Sequence, residues 1–152
     1  MTDTWQSFTD GFAAAAAAHA DRPALHAADG TVHTYAQTRQ AVERLAGRLT
    51  PHVHAPETLV ALGVPRSVDW VLGALAAWWA GAAFTPIDPA LAPDRLDFLL
   101  RDAAPAVVLT AAEHAAPFAA ARLLMLTRPD DAPALPSAVS YTHLRAHETG
   151  RN

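Results

Sequence analysis

The side chains able to do chemistry are few and scattered. His52 and His54 form an H-x-H pair, a spacing at which two imidazoles can share a metal ion, but no Cys or carboxylate cluster accompanies them. Pro51 and Pro56 flank the pair, which therefore reads as a surface loop. Ser67 would act as a nucleophile only beside a base, and no His and acid are placed by sequence to activate it. A helix N-cap accounts for its type. Asp88 and Asp102 are candidate acid and base carboxylates, but turn formation and helix-end solvation explain them and are the preferred reading. Trp70, Trp78 and Trp79 could stack on a nucleotide; on an apolar helix they read as core. His143 and His147 stand at i, i+4 near the end of the chain. The expectation is that no catalytic, cofactor-binding or metal residue lies in this chain.

The glycines agree with that expectation. There is no GxGxxG or P-loop, and the seven glycines never cluster into a phosphate cradle. With no cysteine, disulfides and thiolate metal sites are excluded. A formal charge of -4 offers no basic field, so nucleic acid is not an expected partner. The 152 residues are 51% hydrophobic and 17% charged, enough for one core, and the lack of cysteine suits a cytoplasmic protein.

The elements that must position these residues follow from periodicity and punctuation. Trp5 to Ala20 reads as a first helix, with Trp5, Phe8 and Phe12 at helical spacing. Ala24 to Ala27 and Thr31 to Tyr35 flank Asp29-Gly30, a hairpin turn signal. Tyr35 to Leu49 carries one apolar stripe at Val42, Leu45, Ala46 and Leu49, as an amphipathic helix does. Leu59 to Val64 reads as a buried strand, and Ser67 caps a helix over Val68 to Ala80. Gly81 ends that helix, Ala82 to Phe84 run extended, and Pro86 and Pro89 make a rigid corner around Asp88. Pro93 opens another helix, which Pro105 ends, and Ala106 to Thr110 forms a buried strand. A helix over Ala111 to Ala120 and a strand over Arg122 to Thr127 complete the alternation. The fold class expected is α/β, a mostly parallel but incomplete sheet with flanking helices.

Two stretches imitate targeting signals. Ala18-His19-Ala20 looks like a signal-peptidase site, but Asp3 and Asp10 and the lack of Lys or Arg upstream argue against it. Trp70 to Ile87 is an uncharged run of 18 residues, interrupted by Pro86 and bounded by Asp69 and Asp88. A helix followed by a strand is the reading preferred to a membrane span.

The run from Ala80 to Asp88 resembles one enzyme family. It matches the pattern A-G-x-A-Y-x-P-x-D of the adenylate-forming superfamily, with Phe84 for the usual Tyr. This superfamily comprises amino-acid-activating domains of nonribosomal peptide synthetases, acyl-CoA synthetases and luciferases. Pro89, Pro93, Arg95, Leu96 and Asp102 fall where such domains continue, and Thr34-Tyr35 matches their T-Y-x-E-L opening, although Gln37-Thr38 replaces Glu-Leu. Pro65-Arg66-Ser67 sits at the expected strand-to-helix junction. The resemblance covers roughly residues 5 to 126 and implies the N-terminal part of the large subdomain. It implies that the parent uses ATP and Mg²⁺ to form an acyl-adenylate, passed to phosphopantetheine or CoA. Its partners would be the remainder of the adenylation domain and a carrier protein or CoA. The family's phosphate loop, T-S-G-[ST]-T-G-x-P-K, has no match here, so this piece is expected to be inactive. The competing readings are a standalone binding or regulatory module and a membrane-associated protein.

Val139 to Thr149, VSYTHLRAHET, is the in-frame translation of a transposase sequencing adapter. Residues 1 to 138 are accordingly expected to be a partial adenylation subdomain, and residues 139 to 152 a library-derived tail. On that reading His143 and His147 are no metal site, and Ser140-Tyr141-Thr142 is no degraded phosphate loop.

Overall fold

A computed structural model describes residues 7–126. Trp5, Thr127 and the adapter-like segment lie outside the described residues. The described residues begin with helix α1, Phe8–Ala18, opened by a capping box in which Ser7 Oγ accepts from the Asp10 N–H and Asp10 Oδ2 from the Ser7 N–H. A hairpin of β1, Pro23–His26, and β2, Val32–Thr34, follows. Its turn is closed as expected: Gly30 takes φ 88°, and Asp29 Oδ1 accepts the Thr31 N–H at 2.8 Å. That bond, to an exposed carboxylate, holds the Asp29 carboxyl below the usual carboxylate range.

Helix α2, Tyr35–Leu49, shows what the replacement of Glu-Leu by Gln37-Thr38 does. Thr34 Oγ1 accepts the Gln37 N–H at 3.2 Å, and Gln37 Oε1 accepts the Thr34 N–H at 2.9 Å, so Gln closes the capping box as Glu would. Thr38 is buried, and its hydroxyl donates to the Thr34 carbonyl at 2.8 Å, which satisfies the one polar atom placed in an apolar position.

The main sheet is built from β3, Leu59–Gly63, β4, Ala83–Pro86, β5, Val107–Thr110, and β6, Leu123–Met125, all parallel, in the order β4-β3-β5-β6. Between them lie α3, Val68–Trp79, and α4, Pro93–Ala103. β3 and β5 carry continuous apolar runs because both faces are covered. On one face Val60, Leu62, Val107 and Leu109 pack against α2 and α3; on the other Ala61 and Val108 pack against Leu96 of α4 and against Phe118. The α3 and α4 crossovers thus lie on opposite faces, and the β5–β6 connection that carries Phe118 shares the face of α4, as in a doubly wound sheet.

Small residues set the spacing. A Cβ on Gly73 would stand 2.8 Å from Leu109 Cδ2 and 3.1 Å from Leu62 Cδ2, so glycine lets α3 lie close on the sheet. Gly81, φ 79°, follows α3 and turns the chain into β4, which confirms the helix-then-strand reading of Trp70 to Ile87. No helix among the described residues is long and apolar enough to cross a membrane.

Two expectations require correction. The helix expected over Ala111 to Ala120 is two 3-10 turns, Ala112–His114 and Ala116–Phe118. Pro117 has no N–H to continue an α-helical ladder, and Phe118 must swing inward to its buried seat on the sheet, so packing overrides alanine propensity. Trp78, expected in the core with Trp70 and Trp79, is 42% exposed, because the sheet and α2 cover only part of the perimeter of α3.

Candidate functional site

In a doubly wound sheet, ligands bind outside the carboxyl ends of the strands where the strand order reverses, here beyond β3 and β5. The segments at that edge are Val64-Pro65-Arg66-Ser67 after β3, Ile87-Asp88-Pro89 after β4 and Ala111 after β5. They exist as a rim because Pro65, Pro86 and Pro89 bar continuation of the strands into regular ladders.

Ser67 is spent on structure. Its Oγ accepts the Trp70 N–H at 3.3 Å to cap α3 and donates to the Pro65 carbonyl at 3.0 Å. Neither contact is with a base, so the hydroxyl has no route to a more nucleophilic form. Asp88 is exposed and its Oδ1 accepts the Ala90 N–H at 2.9 Å, the turn role expected of it. Asp102 is exposed in the last turn of α4, the helix that carries the chain from the carboxyl end of β4 back to the amino end of β5. The two carboxylates therefore sit at opposite edges of the sheet, with most of the roughly 16 Å length of α4 between them, and form no acid/base pair.

His52 and His54 also fall at the amino edge, in the loop before β3. The His54 N–H of the backbone donates to Thr58 Oγ1 at 3.2 Å, which ties the loop without using the imidazole. Among the described residues no group of three or more His, Asp or Glu could hold a metal ion. His143, His147 and Ser140-Tyr141-Thr142 lie outside the described residues.

Behind the rim, the structure joins residues that periodicity could not connect. Thr110 Oγ1, fully buried, donates to the Gly63 carbonyl at 2.8 Å and tethers the carboxyl ends of β3 and β5. Phe118 closes over the same place: a Cβ on Gly63 would lie 2.6 Å from Phe118 Cε2. The one signal in the sequence was the glycine ending a run of buried β residues, a mark of close approach.

Among the described residues the rim segments offer one guanidinium, Arg66, and one carboxylate, Asp88, both exposed, and the Thr110 hydroxyl behind them is donated inward. All 11 basic residues of the sequence are arginine, so no lysine ammonium can meet a phosphate. Together these residues form a carboxyl-edge platform at the switch point.

Comparison with known proteins places this platform. The family described as AMP-binding enzyme matches residues 12–149. Phosphinothricin tripeptide synthetase PhsB of Streptomyces viridochromogenes is 42% identical over 96 residues, covering 63% of this chain and 8% of that protein. A dimodular nonribosomal peptide synthase of Bacillus subtilis is 38% identical over 100 residues, covering 64% of this chain and 4% of that protein. The chain thus spans less than a tenth of the length of these two relatives. Among solved structures, nonribosomal peptide synthetase FmoA3 in an AMPPNP-bound form superposes with a TM-score of 0.73 at 24% identity, covering 89% of this chain and 16% of that one. MatB from Rhodopseudomonas palustris superposes with a TM-score of 0.61 at 24% identity, covering 68% of this chain and 22% of that one. At such identity the structural likeness establishes the fold.

Proposed function

Because this chain belongs to the AMP-binding enzyme family, we propose that it is the N-terminal part of the large subdomain of a ligase that activates an amino or other carboxylic acid as its acyl-adenylate. The acyl group would then pass to a thiol, that of a carrier-bound phosphopantetheine or of CoA. The family match over residues 12–149 carries this reading, and the similarity to peptide synthetases favours an amino acid as the substrate.

ATP and Mg²⁺ are the cofactors this reading requires, ATP supplying the adenylyl group. The described residues do not fit them: the rim lacks a glycine-rich loop, a lysine and a carboxylate cluster. No chemical step is therefore assigned to this chain. Its role is to hold the carboxyl edge of the sheet rigid, through Thr110, Gly63 and the Pro86 to Pro89 corner, so that catalytic groups supplied by the rest of the enzyme meet the nucleotide in one geometry.

The 152-residue polypeptide on its own is inactive in this reading. Pyrophosphate exchange into ATP, assayed with the purified chain across the common amino acids, should stay at background; exchange above background would overturn it. The reading also takes residues 139–152 as adapter-derived. The family match runs to residue 149 and crosses that segment, so sequencing the locus decides the matter: native codons for VSYTHLRAHET would refute an adapter origin.

A further inference from the structure

Helix α4 turns its apolar stripe inward: Leu96 is buried, and Leu99 and Leu100 pack with it against the sheet. On the opposite face Phe98 is 50% exposed, with the Arg95 guanidinium over its ring at 5.4 Å from the centroid. One exposed ring needs no explanation, but the charges around it form a pattern.

At about 100° per residue, Arg95 and Asp102 stand roughly 60° and 40° to one side of Phe98, and Arg101 and Asp94 the same angles to the other. All four are exposed, and among the described residues no ion pair engages any of them. Arg101 and Asp97, at i, i+4, could pair within the helix and do not. One flank therefore runs from cation to carboxylate along the helix, and the other from carboxylate to cation.

A two-fold axis lying between two antiparallel copies of α4, at the height of Phe98, keeps each flank with itself and reverses its order. Arg95 then meets Asp102 of the other copy, and Asp94 meets Arg101, each within about 1.5 Å in height, and both pairs recur by symmetry. A parallel arrangement would also oppose unlike charges, Arg95 to Asp94 and Asp102 to Arg101, but it aligns the two helix dipoles side by side.

We propose that this face is a homodimer surface, on which a second copy of the chain pairs through antiparallel α4 with Phe98 packed on Phe98 and the charge pairs closing both flanks. An aromatic centre with arginine beside it is the composition of an interface core. The helix has 11 residues, and a contact of that length buries less than the about 800 Å² per partner of a standard interface, so the dimer is reversible, with Kd of about 10–500 μM. The inference stands apart from the functional reading above.

The test is sedimentation velocity on the 152-residue chain over a concentration series, below its thermal transition. A monomer–dimer equilibrium is expected. Arg95→Asp and Asp102→Arg each set like charges against each other twice and should raise Kd by about tenfold or more, as should Phe98→Ala. These side chains are exposed, so the thermal transition should stay in place. An equimolar mixture of Arg95→Asp and Asp102→Arg chains should recover the wild-type affinity, because the antiparallel heterodimer opposes unlike charges at both 95–102 contacts. A chain that stays monomeric to about 1 mM, association equal in all variants, as strand-edge pairing would give, or a mixture no tighter than the single variants, as a parallel pair would give, would each overturn the proposal.

Discussion

The hydroxyl of Thr110 donates 2.8 Å to the carbonyl of Gly63, across 47 residues of sequence, and so locks the carboxyl ends of the two central strands to each other. Both residues are buried. Replacing Thr110 by Val keeps the shape and removes the donor, which should cost about 1–3 kcal/mol. Thr110→Ser should recover most of the loss. Urea melts followed by circular dichroism measure the difference, and equal midpoints for Val and wild type would show the bond to be idle.

Gly63 is under a second constraint. Its missing Cβ leaves room for Phe118 and Val108, whose atoms would stand 2.6 Å and 2.9 Å from it. Gly63→Ala should therefore destabilise the chain by about 1–3 kcal/mol. Combined with Phe118→Leu, the penalty should be less than the sum of the two single losses, a coupling that a double-mutant cycle reads directly.

Ala104 is the one non-glycine residue at positive φ among the described residues, with φ 40° and ψ 53° at the end of α4. A Cβ is unfavourable there, and Pro105 blocks any further helical turn. Ala104→Gly should raise stability by about 0.5–1 kcal/mol. A lower melting temperature for the variant would show that the entropy glycine adds to the unfolded chain outweighs relief of the strain.

The hairpin has a pH dependence of defined sign. The Thr31 N–H holds the Asp29 carboxyl below its unfolded value, so the carboxylate supports the turn at neutral pH. That support is complete above the unfolded value of about 3.9 and is lost as pH falls through the lower, folded value. The Thr31 amide shift should titrate with a midpoint below 3.9, and Asp29→Asn should flatten the curve. A midpoint at or above the peptide value would remove the argument.

Among the described residues the sheet order presents two open edges, β4 and β6. An isolated chain of this kind should self-associate through unpaired strand groups. Light scattering on warming is expected to rise with protein concentration; a concentration-independent, cooperative melt would favour a module that stands alone.

What the sequence settled by itself was local. Ser67 as a cap, Gly81 as a helix terminator, Asp29-Gly30 as a turn and Pro93 as a helix opener each follow from the bonding and φ limits of one residue, and the structure places all of them as read. The capping box of Thr34 and Gln37 was hidden only by the expectation of Glu. The family resemblance was legible in the same way, since A-G-A-A-F-T-P-I-D is a string of local constraints. Residues close in space but distant in sequence were decided by tertiary structure alone. Hydroxyl donation from Thr110 to Gly63, the seat of Phe118 that breaks an alanine-rich helix into two turns, and the exposure of Trp78 all depend on which faces the sheet and helices leave to be filled. Periodicity tells which side of an element is apolar; packing density and the number of available neighbours decide what covers it.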